Sequence, residues 1–459
     1  MIVLPLAILW VGAVVVAALD GTRRFVGVLA AGVVAAALVA MIVVGVDVAN
    51  NGPVQMVAGG WEPGVGVTLR LDALGVVFAV LSLGVLLAAL AFETLAGVRT
   101  RLFPALVLFM GVGLTGLFTT GDAFNFYVFF EIAMVSAYLL AGYGEKPRQL
   151  RAAFIFAVVN LLGSVLFLIG IAAVYHITGR LDMAGINAAM PLVGENPATL
   201  TATIIFVAFG VKLGLFPFHF WLPAVYTGTT PAVAAILSGA LANIGSYGLI
   251  RFGAELFPRE LTEAESVLLV LATASIIYGA LQAISRRSPL EVLAYSAIGQ
   301  VGYILAALAV GGEAGYAAAV LYAVINSVNK TLLFLSANVR GWLIGAAFAV
   351  GAFSVAGVPP AAGFLGKLAL FQVGAADGRW WFVALIVLGG ALSFVYMFQL
   401  YGHRFWVEPP GDEEQATTSA SARLLIAGIA VAVVALGAWP EPLIALSEQA
   451  ARSLPERAP

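Results

Sequence analysis

The 459-residue sequence contains no cysteine. That excludes disulfides, thiolate metal sites and cysteine-ligated iron-sulfur clusters, so neither redox chemistry within the chain nor a resident cofactor is expected. Histidine is scarce as well. His176, His219 and His403 are the three present, no two stand at a metal-ligand spacing, and no metal site is expected. Charge is scarce too: Asp, Glu, Lys and Arg make up 10% of the chain, against roughly 25% in an average soluble domain. A net charge of -2 argues against nucleic acid as a partner. No phosphate-binding loop occurs, and glycine-rich stretches such as GALANIGSYG read as close helix packing.

What fills the sequence is apolar. Hydrophobic residues account for 62% of it, and apolar runs of about 18 or more residues, long enough to cross a bilayer, recur from end to end. The chain therefore reads as an all-α polytopic membrane protein, with the lipid bilayer as its medium. The first run, MIVLPLAILWVGAVVVAAL, lacks the basic start of a cleaved signal peptide and reads as a membrane helix. Hydropathy and breakers predict fourteen helices, near 2–19, 25–47, 73–95, 102–119, 123–143, 152–175, 199–217, 230–252, 265–284, 289–310, 314–337, 342–373, 380–402 and 422–446. Residues 180–196 read as a short surface helix and loop. The stretch 342–373 is too long for one straight crossing, and a break is expected at Pro359 and Pro360.

With that helix count, 19 of the 22 Lys and Arg fall in loops, twelve on one side and seven on the other. The richer set is Arg23, Arg24, Arg99, Arg101, Lys146, Arg148, Arg151, Arg286, Arg287, Arg340, Arg404 and Arg423. The excess puts this set in the cytoplasm and both termini outside the inner membrane. The poorer set is Arg70, Arg180, Arg251, Arg259, Arg379, Arg452 and Arg457. The remaining three are Lys212, Lys330 and Lys367, so three of the four lysines are intramembrane and every arginine is placed outside. Buried lysine can lose its proton whereas arginine effectively cannot, which favours proton handling over fixed ion pairing.

Lys212 lies mid-way in the apolar segment 201–223, where Gly210, Gly214 and Pro217 interrupt the helix beside the charge. LGKLALF at 365–371 echoes VKLGLF at 211–216 and follows Pro359, Pro360 and Gly363, which points to an internal repeat with a site in each half. Among the 24 acidic residues, Glu131 is the one placed deep in a helix. A Glu131 and Lys212 pair could load and unload a proton, or form a fixed salt bridge between two helices. Lys330, with Asn326 and Asn329 just before it, either lines a hydrated path between the halves or snorkels toward the end of its helix at Arg340. His219, in the turn after the first break, either extends the proton path or caps structure; His176 and His403 fall at helix ends and read as interfacial.

At these motifs the sequence resembles the antiporter-like family shared by Mrp sodium/proton antiporters, the proton-pumping subunits of respiratory complex I and membrane-bound hydrogenases. The likeness runs over nearly the whole chain. It is carried by TGDAFNFYVFFE, GVKLGLFPFHFWLP, TPAVAAILSG, RRSPLEVLAYSAIGQVGYI, NKTLLFL and SVAGVPPAAGFLGK, and the wording around Glu131 looks most like the D subunit of Mrp complexes and its hydrogenase counterpart. The resemblance implies fourteen helices with two inverted five-helix repeats and broken helices 7 and 12. The expected divisions are 1–101 for helices 1 to 3, 102–252 for the first repeat, 265–402 for the second, and 403–459 for a cytoplasmic loop and helix 14. It also implies a proton relay of Glu131, Lys212, Lys330 and Lys367, other subunits of a hetero-oligomeric complex as partners, and protons and sodium as the ions moved. Two positions depart from the family. Asn243 stands where a lysine is usual and Asn326 where a histidine is usual, and asparagine holds water but stores no proton at neutral pH. The expected function is thus a proton-conducting subunit of a cation/proton antiporter and not an enzyme. The rival expectations are a pumping subunit of a quinone- or ferredoxin-linked oxidoreductase and a structural subunit with impaired conduction.

Overall fold

The computed structural model describes residues 1–61, 66–97, 100–406 and 419–454. Arg99, Arg457 and most of the loop assigned to 403–459 lie outside the described residues. The chain is an all-α polytopic membrane protein, in which eleven helices among the described residues are long and apolar enough to cross a membrane. All the helices, in order, begin with α1 (Leu4–Ala17), α2 (Arg24–Asn51), α3 (Ala73–Ala96), α4 (Phe103–Thr119), α5 (Ala123–Gly142), α6 (Pro147–Thr178) and the short surface helix α7 (Met183–Ala189). The first broken pair follows, α8 (Glu195–Leu213) and α9 (Trp221–Gly228), then α10 (Pro231–Leu256), α11 (Pro258–Glu263), α12 (Glu265–Ile284), α13 (Pro289–Val310) and α14 (Gly312–Ser336). The second broken pair is α15 (Trp342–Ala356) and α16 (Gly363–Ala376), after which come α17 (Trp380–Trp406), α18 (Ala420–Ala438) and α19 (Glu441–Arg452).

Helix starts follow from capping chemistry. Asp72, Asp122 and Thr230 accept the first free amides of α3, α5 and α10, and prolines occupy the first turns of α4, α6, α10 and α13. The two breaks end alike. Gly214 (φ 66°) and Gly357 (φ 85°) close α8 and α15 in the left-handed conformation, which glycine adopts without strain, and a proline stops each helix from resuming at once.

Three helices, α10, α13 and α14, are buried on nearly every side and form the axis of the bundle. The rest wrap them and expose apolar flanks, such as Phe154, Val158, Leu161 and Leu162 on α6, as lipid-facing or partner-facing surface requires. Two wide π-helical stretches, Leu237–Leu241 and Leu249–Leu256, lie within α10 on either side of Asn243.

The structure corrects the sequence reading in four places. A two-stranded antiparallel hairpin, Val54–Val57 with Thr68–Leu71, stands between α2 and α3; four-residue strands are too short to show an alternation. The helix expected over 422–446 is two, α18 and α19, parted at Trp439 and Pro440. Arg251, assigned to a loop, lies in α10 and is buried. Its guanidinium bonds both oxygens of Asp72 (2.6 and 2.7 Å) and Glu255 (2.6 Å), while Arg70 reaches Glu255 from the hairpin. Asp72 stands 179 residues away, so no local pattern reveals that the arginine is neutralised. Finally, Glu131 does lie mid-way along α5, but it is only half-buried, whereas Glu93 and Glu255, in the last turns of α3 and α10, are buried.

Candidate functional site

All three intramembrane lysines are buried, and each ammonium is held by oxygens of a neighbouring helix rather than by a carboxylate. Lys212, in the last turn of α8, donates to the Asn160 carbonyl (2.8 Å) and to Ser164 Oγ (3.0 Å) of α6, and sits 4.3 Å from the centre of the Phe130 ring. Lys330 in α14 is 0% exposed and donates to Ser296 Oγ (2.8 Å) and the Leu293 carbonyl (3.4 Å) of α13. With no exposed surface it does not snorkel, which disposes of that alternative. Lys367 in α16 donates to the Val355 and Ala356 carbonyls, both at 2.9 Å. These are the open carbonyls at the C-terminal end of α15, where the helix dipole is negative, so the break itself builds the lysine's cradle.

Glu131 and Lys212 make no direct ion pair within 4 Å among the described residues. The carboxylate still acts on the ammonium electrostatically, and Glu131 Oε1 is buried with no hydrogen-bond partner. The fixed salt bridge weighed from sequence is therefore not formed. Beside Lys212 lies a cavity of about 10 Å³, lined by Asn160, Trp221, Tyr226, Leu241 and Ala242 among others, room for about one water molecule. Its Leu241 and Ala242 wall leads to Asn243, whose amide donates to the Gly239 carbonyl (2.9 Å) and whose Oδ1 accepts from Ser327 on α14 (3.1 Å). Ser327 precedes Lys330 by three residues. Asn326 and Asn329 are buried nearby with Oδ1 atoms unbonded, acceptors free to take water.

Beyond Lys330 the hydrogen bonds continue through residues that the sequence reading missed. Ser296 Oγ meets Tyr396 OH of α17 at 3.0 Å; Tyr396 OH donates to Ser393 (3.2 Å) and takes a bond from Gln300 Nε2 (3.4 Å). Tyr322 OH donates to Gln300 Oε1 at 2.6 Å, its ring is stacked on Tyr303 at 5.1 Å, and Lys367 lies 5.2 Å from the centre of the Tyr303 ring. Tyr303 OH packs against Gly389, where a methyl group would displace it. One signal was available: Ser296, Gln300 and Tyr303 are spaced i, i+4, i+7, a polar stripe along an otherwise apolar helix.

His219 stands apart. Its ring stacks on Phe216 (5.4 Å) and lies 4.4 Å from the Tyr278 ring, and none of its contacts reaches the lysines. Lys367 also borders a groove of about 480 Å³ between α16 and α17, with walls apart from the lysine that are apolar, Phe364, Phe371, Val387 and Phe394 among them.

The model of the family described as NADH:quinone oxidoreductase/Mrp antiporter, transmembrane, matches residues 120–393, a span that takes in α5 through most of α17 and with them Glu131, Lys212, Lys330 and Lys367. This chain belongs to that family. The D subunit of a Na(+)/H(+) antiporter of Alkalihalophilus pseudofirmus is 31% identical over 440 residues, covering 90% of this chain and 89% of that protein. A chain in the structure of the Mrp complex from Dietzia sp. DQ12-45-1b superposes with a TM-score of 0.88 at 24% identity, covering 98% of this chain and 97% of that one. A chain of respiratory complex I from Thermus thermophilus gives 0.85 at 25% identity, with 98% and 99% covered. The first of these structures shares the fold. As a member of the family, the chain places its buried lysines on α8, α14 and α16.

Proposed function

We propose that the chain is the proton-conducting subunit of a multi-subunit monovalent cation/proton antiporter in the plasma membrane, a transporter component rather than an enzyme. The observation that carries this reading is the polar line of lysines, hydroxyls and amides threaded through the dry axis of the bundle. Protons enter at Glu131 and Lys212, cross to Lys330 by the water cavity, Asn243 and Ser327, and continue through Ser296, Tyr396, Ser393, Gln300 and Tyr303 to Lys367. Asn243 and Asn326 act by holding water, not by storing protons. The Alkalihalophilus pseudofirmus relative, by name part of a Na(+)/H(+) antiporter, supports sodium as the exchanged cation. In this reading the arginine-rich loops face the cytoplasm, both termini face outward, and two inverted five-helix repeats, 102–252 and 265–402, each contribute one broken helix.

The test is cation-driven proton flux in inverted vesicles from an antiporter-deficient host that expresses the whole complex. Sodium addition collapses a preformed pH gradient with wild type, and Lys212→Ala and Glu131→Ala abolish the collapse while the complex still assembles. Full transport by Lys212→Ala would identify a structural subunit instead. The likeness to a complex I chain favours one other reading, a pumping subunit of an oxidoreductase. That reading requires a gradient built by reduced cofactor plus quinone or ferredoxin, with no response to any cation.

A further inference from the structure

Glu93 is a buried carboxylate outside the relay. It occupies the last turn of α3, is 7% exposed, and among the described residues is paired with no cation. Its Oε1 accepts from Tyr143 OH at 2.9 Å, and Tyr143 OH lies 3.3 Å from Thr230 Oγ1, either of which can donate. Oε2 packs over Gly97, where a methyl group would collide with it. On its other flank is a cavity of about 20 Å³, enough for about one water, bordered by Arg23, Arg24, Thr94 and Thr100 at the arginine-rich end of the bundle. Thr230 caps α10, the helix that carries Asn243, and four residues earlier Tyr226 lines the water cavity beside Lys212.

Among the described residues this carboxylate has no cationic partner, a costly arrangement inside a membrane protein, and a structural role would be served as well by an amide. We infer that Glu93 is a proton-uptake group: it takes protons from the cytoplasmic water at the Arg23 and Arg24 cavity and passes them through Tyr143 and Thr230 toward Lys212. This inference rests on the relay and orientation proposed above. The step balances. Ionised Glu93 accepts the Tyr143 hydrogen; a proton delivered by water makes the carboxyl a donor to Tyr143 oxygen, and the Tyr143 hydrogen turns to Thr230. As Thr230 takes the Tyr143 hydrogen it releases its own to a water on the Lys212 side, which carries the charge onward, and Glu93 returns to its carboxylate. The charged and titratable groups that face Glu93 are Arg23 and Arg24 from the start of α2, across the cavity, and Tyr143 at the end of α5.

The experiment is sodium-driven proton flux against pH in inverted vesicles holding the whole complex, for wild type, Glu93→Gln, Glu93→Asp and Lys212→Ala. Glutamine keeps the acceptor for Tyr143 and removes the titrating proton, so Glu93→Gln is expected to assemble and to lose about a hundredfold in flux, the low end of what a positioned proton carrier contributes. Glu93→Asp is expected to recover most of it with a displaced pH profile. Wild-type flux and profile in Glu93→Gln, with Lys212→Ala inactive, would overturn the inference and leave the relay standing. If Lys212→Ala is itself active, the relay reading has failed, and Glu93 is then judged by infrared difference spectra on acidification. A protonated-carboxyl band present in wild type and missing in Glu93→Gln supports proton uptake there, and its absence from wild type overturns it.

Discussion

The three lysines were legible as the only cations placed inside apolar runs, because an ammonium there costs enough that its presence demands a reason. Their partners were not. Ser164, Ser296, Gln300, Ser393 and Tyr396 are uncharged, and single hydroxyls and amides are common in membrane helices, so beyond the Ser296 and Gln300 stripe on α13 nothing marked these as a set until the fold brought α13, α14 and α17 together. Tyr396 is the junction of that set. Tyr396→Phe keeps the ring and deletes the hydroxyl that joins Ser296 to Ser393 and Gln300; at least an order-of-magnitude loss of sodium-driven proton flux is expected, with unchanged assembly on native gels. Gly357 is a second sensitive residue. At φ 85° an added methyl group strains the backbone by about 1–2 kcal/mol, and it would also stand 2.6 Å from Lys367 Cδ. Gly357→Ala should therefore lower both the thermal midpoint in detergent and the flux, whereas Gly312→Ala, also at positive φ but with open space around it, should lower only the midpoint.

Among elements, the long helices, their approximate limits and both breaks could be read from apolar run length, glycine and proline. The hairpin could not, since four-residue strands have no periodic signature, and the division of α18 from α19 was missed although Pro440 marks it. The hairpin owes its position to charge. Arg70 on its second strand joins Glu255, and Arg251 joins Asp72, so the start of α3, the end of α10 and the hairpin are fastened by one largely buried four-membered cluster. Removing one member leaves a buried charge uncompensated, and Asp72→Asn should destabilise the protein by about 3–5 kcal/mol in thermal inactivation, with part of the loss recovered in the Asp72→Asn, Arg251→Met double variant. Burial alone pushes the Asp72 carboxyl up, but the Arg251 and Arg70 guanidiniums and the Gly75 amide hold it below its ordinary value. Its folded pKa is thus depressed: the stabilisation is complete above the ordinary carboxylate range of about 4 and is lost as pH falls below it. Inactivation rates of wild type should rise on acidification below that point, and those of Asp72→Asn should change less.

At the scale of the whole molecule, the most buried helices, α10, α13 and α14, are rich in buried polar side chains, the reverse of a soluble bundle, because lipid accepts apolar flanks and the axis is where polar groups find partners. The lack of cysteine makes the orientation directly testable, since any introduced thiol is the only one in the chain. With a membrane-impermeant maleimide, Arg287→Cys should label only in inverted vesicles and Arg180→Cys only in intact cells; the opposite pattern would reverse the direction of the relay. The central claim is that the buried lysines carry protons and are not merely fixed charges. Lys367 offers the most direct test, because the groove of about 480 Å³ beside it gives a larger side chain room. Arginine keeps the charge but cannot release its proton. Sodium-driven flux by Lys367→Arg in an assembled complex should be as low as that of Lys367→Met; wild-type flux with arginine at this position would contradict the relay.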